Sequence, residues 1–291
     1  MKEFVDVVAR DGTSLAATWF IADAPQDIVI IIAPATGVTQ KYYAEFGEWL
    51  ATLGFNVYTF DYRGIGRSRP AQLRDVLADM KDWSKDLDGL ISHVARVHPR
   101  SQVVILGHSV GGQLIGMSQL SRHVDAVVMI GAQTPYWKHY EGFWLRLRLF
   151  CFWRIMIPAT VKLFGYFPAS LFGLFEDLPA NVATQWARWA GSPNYIFDEL
   201  PDYKRNFEVL NQRALMISFS DDELAPGRAV AHLQGYYKNL KFENWHFKPE
   251  EILQKRIGHF GFFRKRMQAI LWNEVVSWIN KTLSAPTKKA A

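Results

Sequence analysis

The stretch Gly107-His108-Ser109-Val110-Gly111 constrains the fold most. Before it runs Gln102-Val103-Val104-Ile105-Leu106, an uninterrupted apolar segment that predicts a strand buried on both faces. After it, Gly112-Gln113-Leu114-Ile115-Gly116-Met117 begins a helical pattern that we extend to about Leu120. A serine between two glycines at a strand-to-helix turn is held on a sharply bent backbone, exposed at the end of the strand. The alternative reading makes Ser109 a helix cap and the glycines a tight turn.

The rest of the chain alternates in the same way. Strands are predicted over 4–8 and 15–20, joined at Asp11-Gly12, and over 28–32, 55–60, 124–130, 213–219 and 241–247. Helices are predicted over 42–53, 75–97 and 262–283. Strands alternating with helices imply a mostly parallel α/β sheet covered on both faces, with the first two strands as an antiparallel edge. Ser284–Ala291 reads as a disordered tail.

Composition excludes several classes. The 49% hydrophobic content of 291 residues is ample for one large core. A net charge of +5 is spread along the chain and leaves no nucleic-acid footprint. One cysteine, Cys151, permits no intrachain disulfide, and Met1–Asp6 opens no signal-peptide run, so a cytoplasmic location is expected. The eight histidines are scattered, with no H-E-x-x-H and no cysteine partners; neither metal nor organic cofactor is expected. Oligomeric state stays open.

A serine hydroxyl needs a base, and the base needs an orienting group. Two adjacent acids, Asp221 and Asp222, follow the 213–219 strand and compete for the second role. His259, in Gly258-His259-Phe260-Gly261, stands in a loop whose glycines suit mobility. Asp61-Tyr62-Arg63-Gly64-Ile65-Gly66-Arg67-Ser68 lacks the third glycine of a dinucleotide fingerprint and reads as a braced structural loop.

On Gly107–Gly112, Asp61–Ser68, Asp222–Pro226 and Gly258-His259, the chain resembles the α/β-hydrolase superfamily, in its serine-aminopeptidase-type, lysophospholipase-like branch. The resemblance spans nearly the whole length and is weakest over 134–211. It implies Ser109 as nucleophile, Asp222 rather than Asp221 as acid, and His259 as base. It also implies an oxyanion hole from the backbone N–H groups of Val110 and Thr36, although Pro34-Ala35 stands where many relatives carry His-Gly.

The stretch 134–211 falls where this fold carries a cap, and is crowded with aromatics from Tyr136 to Phe207. Two readings stand side by side: an apolar substrate tunnel or lipid-touching lid, and a small core held by aromatics. Ile155–Phe175 carries one charge, Lys162, but Pro158, Gly165, Pro168 and Gly173 interrupt it, which argues against a transmembrane span. The expected activity is hydrolysis of an ester or thioester of a largely apolar small molecule. An acyltransferase or aminopeptidase using the same three residues, or a non-catalytic binding member of the fold, are the alternatives. Glu176, Asp177 and Glu199 are the acids available to anchor a substrate amine.

Overall fold

A computed structural model describes residues 1–284. Eight strands form the main sheet: β1 (Lys2–Val8), β2 (Ser14–Phe20), β3 (Ile28–Ala33), β4 (Asn56–Phe60), β5 (Gln102–His108), β6 (Ala126–Ile130), β9 (Arg213–Phe219) and β10 (Lys241–Phe247). Their order is β1-β2-β4-β3-β5-β6-β9-β10. β1 pairs antiparallel with β2, and β2 antiparallel with β4; every later pairing is parallel. The strand ends that carry β5 into its turn therefore lie beside those of β3, β6 and β9, at one rim.

Alternation along each strand builds two cores. Ile30 and Ile32 join Val104, Leu106, Val128, Ile130, Leu215 and Ile217 under α1 (Ala44–Thr52) and α9 (Asn273–Ser284). Val29 and Ile31 join Ile105, Val127, Met129, Ala214 and Met216 on the other face, against α2 (Met80–Val97), α3 (Val110–Met117) and α8 (Gly227–Gln234). Burial on both faces is why these strands read as continuous apolar runs.

Helix boundaries differ from expectation in three places. α2 starts at Met80 rather than Asp75, because Asp79 caps it: its carboxylate accepts from the amides of Lys81 and Asp82, and Asp82 returns a bond to the Asp79 amide. The elbow helix ends at Met117 rather than near Leu120. The final helix is preceded by 3-10 turns and one π turn over 261–272 and is α-helical only from Asn273. Ser284 closes that helix; the rest of the expected tail lies outside the described residues.

Between β6 and β9 the chain forms α4 (Phe143–Cys151), α5 (Ile157–Phe164), a small antiparallel pair β7 (Tyr166–Phe167) and β8 (Leu178–Pro179), α6 (Ala180–Ala190) and α7 (Lys204–Val209). Its aromatics divide. Trp153, Phe167, Trp189, Tyr195 and Phe207 are buried in the core beneath, whereas Phe143, Trp144, Phe164 and Phe172 are exposed. The segment reaches the loops at the strand rim. Glu176 donates its amide to the Gly37 carbonyl (2.9 Å), and the Tyr140 hydroxyl donates to the Leu224 carbonyl (2.9 Å). No helix of the described residues is long and apolar enough to cross a membrane.

Candidate active site

Ser109 stands between β5 and α3 with φ 53° and ψ −115°, a backbone conformation that a non-glycine residue adopts at a cost of about 1–3 kcal/mol. Its amide donates to the Ile130 carbonyl at the end of β6 (3.0 Å). Its side chain caps no amide of α3, which removes the helix-cap reading. The flanking glycines are required by close approach. A Cβ on Gly111 would lie 2.2 Å from the Ala33 carbonyl oxygen, and one on Gly107 would lie 2.6 Å from the Gly112 nitrogen. The turn and the loop after β3 are thus pressed together with no room for a methyl group.

The two acids after β9 do different things. Asp222 is buried, and its Oδ2 lies 2.8 Å from His259 Nδ1. Its Oδ1 accepts from the amides of Leu224 (2.9 Å) and Ala225 (3.0 Å), which fixes the carboxylate plane. Asp221 instead accepts from the amides of Ile257 (2.8 Å) and Gly258 (3.0 Å), immediately before the histidine. One acid orients the imidazole and its neighbour holds the loop that carries it. Gly131, at φ 57° after β6, makes room for the pair, since a Cβ there would come within 3.2 Å of Asp222 Oδ2 and of the His259 ring.

The histidine loop is tied down by hydrogen bonds on several sides. Besides the two bonds to Asp221, the His259 carbonyl lies 2.9 Å from His108 Nε2, and the Tyr42 hydroxyl donates to the Phe260 carbonyl. The glycine at 258 serves a left-handed turn (φ 60°) that this anchoring needs.

His108 belongs to a buried chain of hydrogen bonds with one possible direction. The Ala35 amide donates to the Tyr43 hydroxyl oxygen (2.9 Å), so the Tyr43 proton turns to His108 Nδ1 (2.9 Å). The carbonyl of His259 only accepts, so His108 carries its own proton on Nε2. Burial, with the nearby His259, holds the His108 imidazole well below its usual value and keeps it neutral, the form this chain requires. Burial also pushes the Tyr43 phenol well up. The loop after β3, the turn after β5 and the histidine loop are thereby tied together.

The expected oxyanion donors face no competing acceptor. Among the described residues the amides of Thr36 and Val110 donate to no protein group; Val110 opens α3, where no intrahelical acceptor exists. The Thr36 hydroxyl oxygen is also buried without a partner.

Ser109, Asp222 and His259 are 8%, 4% and 8% exposed. A Cβ on Gly37 would lie 2.5 Å from the Phe175 ring, which places Phe175 against the loop of Thr36. Of the acids considered for an amine, Asp177 is engaged by Ser170 and Arg69, and Glu199 by Gln185, Arg188 and Trp189. Glu176 is half-buried beside Gly37 and forms no ion pair among the described residues. The Asp61–Ser68 loop is braced as expected. Asp61 accepts from the Gln40 and Arg67 amides and the Gln40 side chain, and Arg63 pairs with Asp11 and Asp86.

Spacing alone does not reveal Asp221 as an anchor, nor the contribution of Tyr43, Gly131 or His108. The adjacency of Asp221 to Asp222 was the one legible signal.

Comparison with known proteins agrees with this architecture. A profile of serine aminopeptidases, S33, matches residues 15–163, more than half of the chain. The chain belongs to the S33 serine aminopeptidase family. This S33 chain is 33% identical over 117 residues to the uncharacterized protein YfhR of Escherichia coli K12, covering 38% of the chain and 39% of YfhR. It is 23% identical over 219 residues to lysophospholipase L2 of the same strain, covering 74% of the chain and 50% of that protein. In both cases the match takes in half or less of the relative's own length. Among solved structures, DcsB in complex with a substrate analogue superposes with a TM-score of 0.66 at 14% identity, covering 97% of this chain and all of that one. The fold is that of the α/β-hydrolases.

Proposed function

We propose that this S33 hydrolase cleaves an ester or thioester of a largely apolar small molecule through an acyl-Ser109 intermediate. The observation that carries the reading is the buried 2.8 Å contact between Asp222 and His259, together with a serine at the end of β5 that is strained and caps nothing. In this scheme Asp222 holds the imidazole with its proton on Nδ1, leaving Nε2 to take the proton of Ser109 Oγ. Oγ attacks the carbonyl carbon, and the oxyanion forms against the amides of Val110 and Thr36. Each such donor is worth about 3 kcal/mol to the transition state. The imidazolium gives its proton to the leaving oxygen or sulfur. The neutral imidazole then takes one from water, whose oxygen attacks the acyl carbon; as the acyl–Oγ bond breaks, the imidazolium returns that proton to Ser109 Oγ and the acid product leaves. No metal or cofactor enters the scheme. The segment 134–211 serves as the cap, and relatives named lysophospholipase and monoacylglycerol lipase support an apolar acyl substrate.

Turnover of p-nitrophenyl esters of increasing chain length by the wild type and by Ser109→Ala tests the proposal. The variant is expected to lose turnover while keeping its fold; equal rates would end the reading.

One observation favours an aminopeptidase as the second reading. Glu176, without an ion pair among the described residues, stands next to the loop of Thr36, where a substrate amine would find it. Faster turnover of aminoacyl anilides than of esters, lost in Glu176→Gln, would favour that reading.

A further inference from the structure

Among the described residues, ten of the twenty exposed large apolar side chains lie within residues 143–174. Phe143, Trp144, Leu163 and Leu171 are each more than two-thirds exposed, and Ile155 and Leu174 also face solvent. The polar residues between them are nearly all of one sign. From Trp137 to Phe175 there are five cations, Lys138, Arg146, Arg148, Arg154 and Lys162, against the single carboxylate of Glu141. None of the five forms an ion pair among the described residues. Arg148, Arg154 and Lys162 are exposed, whereas Arg146 is held by the Tyr140 carbonyl.

We infer that this face, built on α4, α5 and the turn after β7, docks onto the surface of a bilayer containing anionic phospholipid. Charge decides between the occupants. A two-fold dimer presents the same patch twice, so self-pairing here would set five cations against five like charges. An anionic headgroup layer neutralises them, and the acyl boundary beneath accepts protruding aromatic and aliphatic tips without a shaped socket. Trp144 and the phenylalanines are side chains that favour that boundary. The glycines and prolines that interrupt the segment keep it on the surface, in agreement with the lack of a spanning helix among the described residues.

The same segment contacts the site on its inner side, through Phe175 at Gly37 and Tyr140 at Leu224. Docking would therefore set the cap at the lipid, where an apolar acyl substrate partitions. This last consequence rests on the proposed hydrolase reading; the docking itself does not.

Flotation of the full chain with phosphatidylcholine vesicles, with and without phosphatidylglycerol, tests the inference. Ser109→Ala is run alongside to separate binding from turnover. The wild type and Ser109→Ala should float equally with the anionic vesicles, weakly with the neutral ones, and lose the preference at high salt. Arg148→Gln with Arg154→Gln should lower anionic partitioning by about tenfold or more, since each cation near such a surface contributes several-fold. Trp144→Ser with Leu163→Ser should lower binding to both vesicles. Both double variants should retain soluble-ester turnover and a wild-type melting temperature. No flotation with either vesicle, or equal flotation with both, overturns the inference. So does a dimer in solution that the Trp144→Ser and Leu163→Ser variant converts to monomer.

Discussion

Replacing Tyr43 by Phe removes one oxygen and keeps the ring. The ring is fully buried between His108, Tyr42 and Phe263, with centroids 5.9, 5.3 and 4.8 Å away, so packing survives. Two buried groups lose their partners: the Ala35 amide and His108 Nδ1. The imidazole cannot escape by moving its proton to Nδ1, because Nε2 would then turn a lone pair on the His259 carbonyl. Each orphaned buried group costs about 1–3 kcal/mol, so Tyr43→Phe should lose about 2–6 kcal/mol. In a chain of this size that lowers the melting temperature by of order 10 °C. Ala35 precedes Thr36, so the loop that supplies a proposed oxyanion donor also loosens. Complete loss of such a donor costs about a hundred- to thousandfold in kcat. A displaced one should cost about tenfold, with KM within about twofold because the acyl and leaving groups are bound elsewhere. Thermal melts and steady-state kinetics on a soluble ester read both effects. Wild-type kcat with an unchanged melting temperature would refute the reasoning that the chain from Ala35 to His259 positions the site.

Three further outcomes follow. Asp222→Asn should lower kcat by about 10⁴-fold through loss of the imidazole's orientation, whereas Asp221→Asn, which keeps one acceptor for the loop amides, should cost about tenfold or less; steady-state kinetics of both variants compare them. Gly111→Ala sets a methyl group against the Ala33 carbonyl oxygen and should abolish turnover and lower the melting temperature. His108 has its folded pKa well below 6.5, so the unfolded chain takes up a proton first as pH falls and the stability this residue supports is lost below pH 6.5. As pH falls below 6.5 the wild type should lose stability more steeply than His108→Gln in urea titrations.

What the sequence made legible is what local patterns can encode. The parallel strands announce themselves because burial on both faces leaves nothing polar in 28–32 or 103–106. The turn at Ser109 is legible because its glycines answer a steric demand of a few neighbouring residues. What escaped depends on contacts distant in the chain. Tyr43, His108 and His259 are separated by 65 and 151 positions, and no periodicity reports such a chain. What separates the roles of Asp221 and Asp222 in space is the position of the 257–259 loop, which residue spacing does not report. The segment from 134 to 211 resisted reading because its helices are short and its aromatics pack against one another.

The proposed chemistry is tested most directly by covalent labelling at the serine. The protein is treated with a fluorophosphonate, digested and mapped by mass spectrometry, with His259→Ala as the folded control. The account predicts a single adduct on Ser109, formed rapidly in the wild type and slowed by orders of magnitude in His259→Ala. Labelling that spares Ser109, or that proceeds at the same rate without the imidazole, would contradict it.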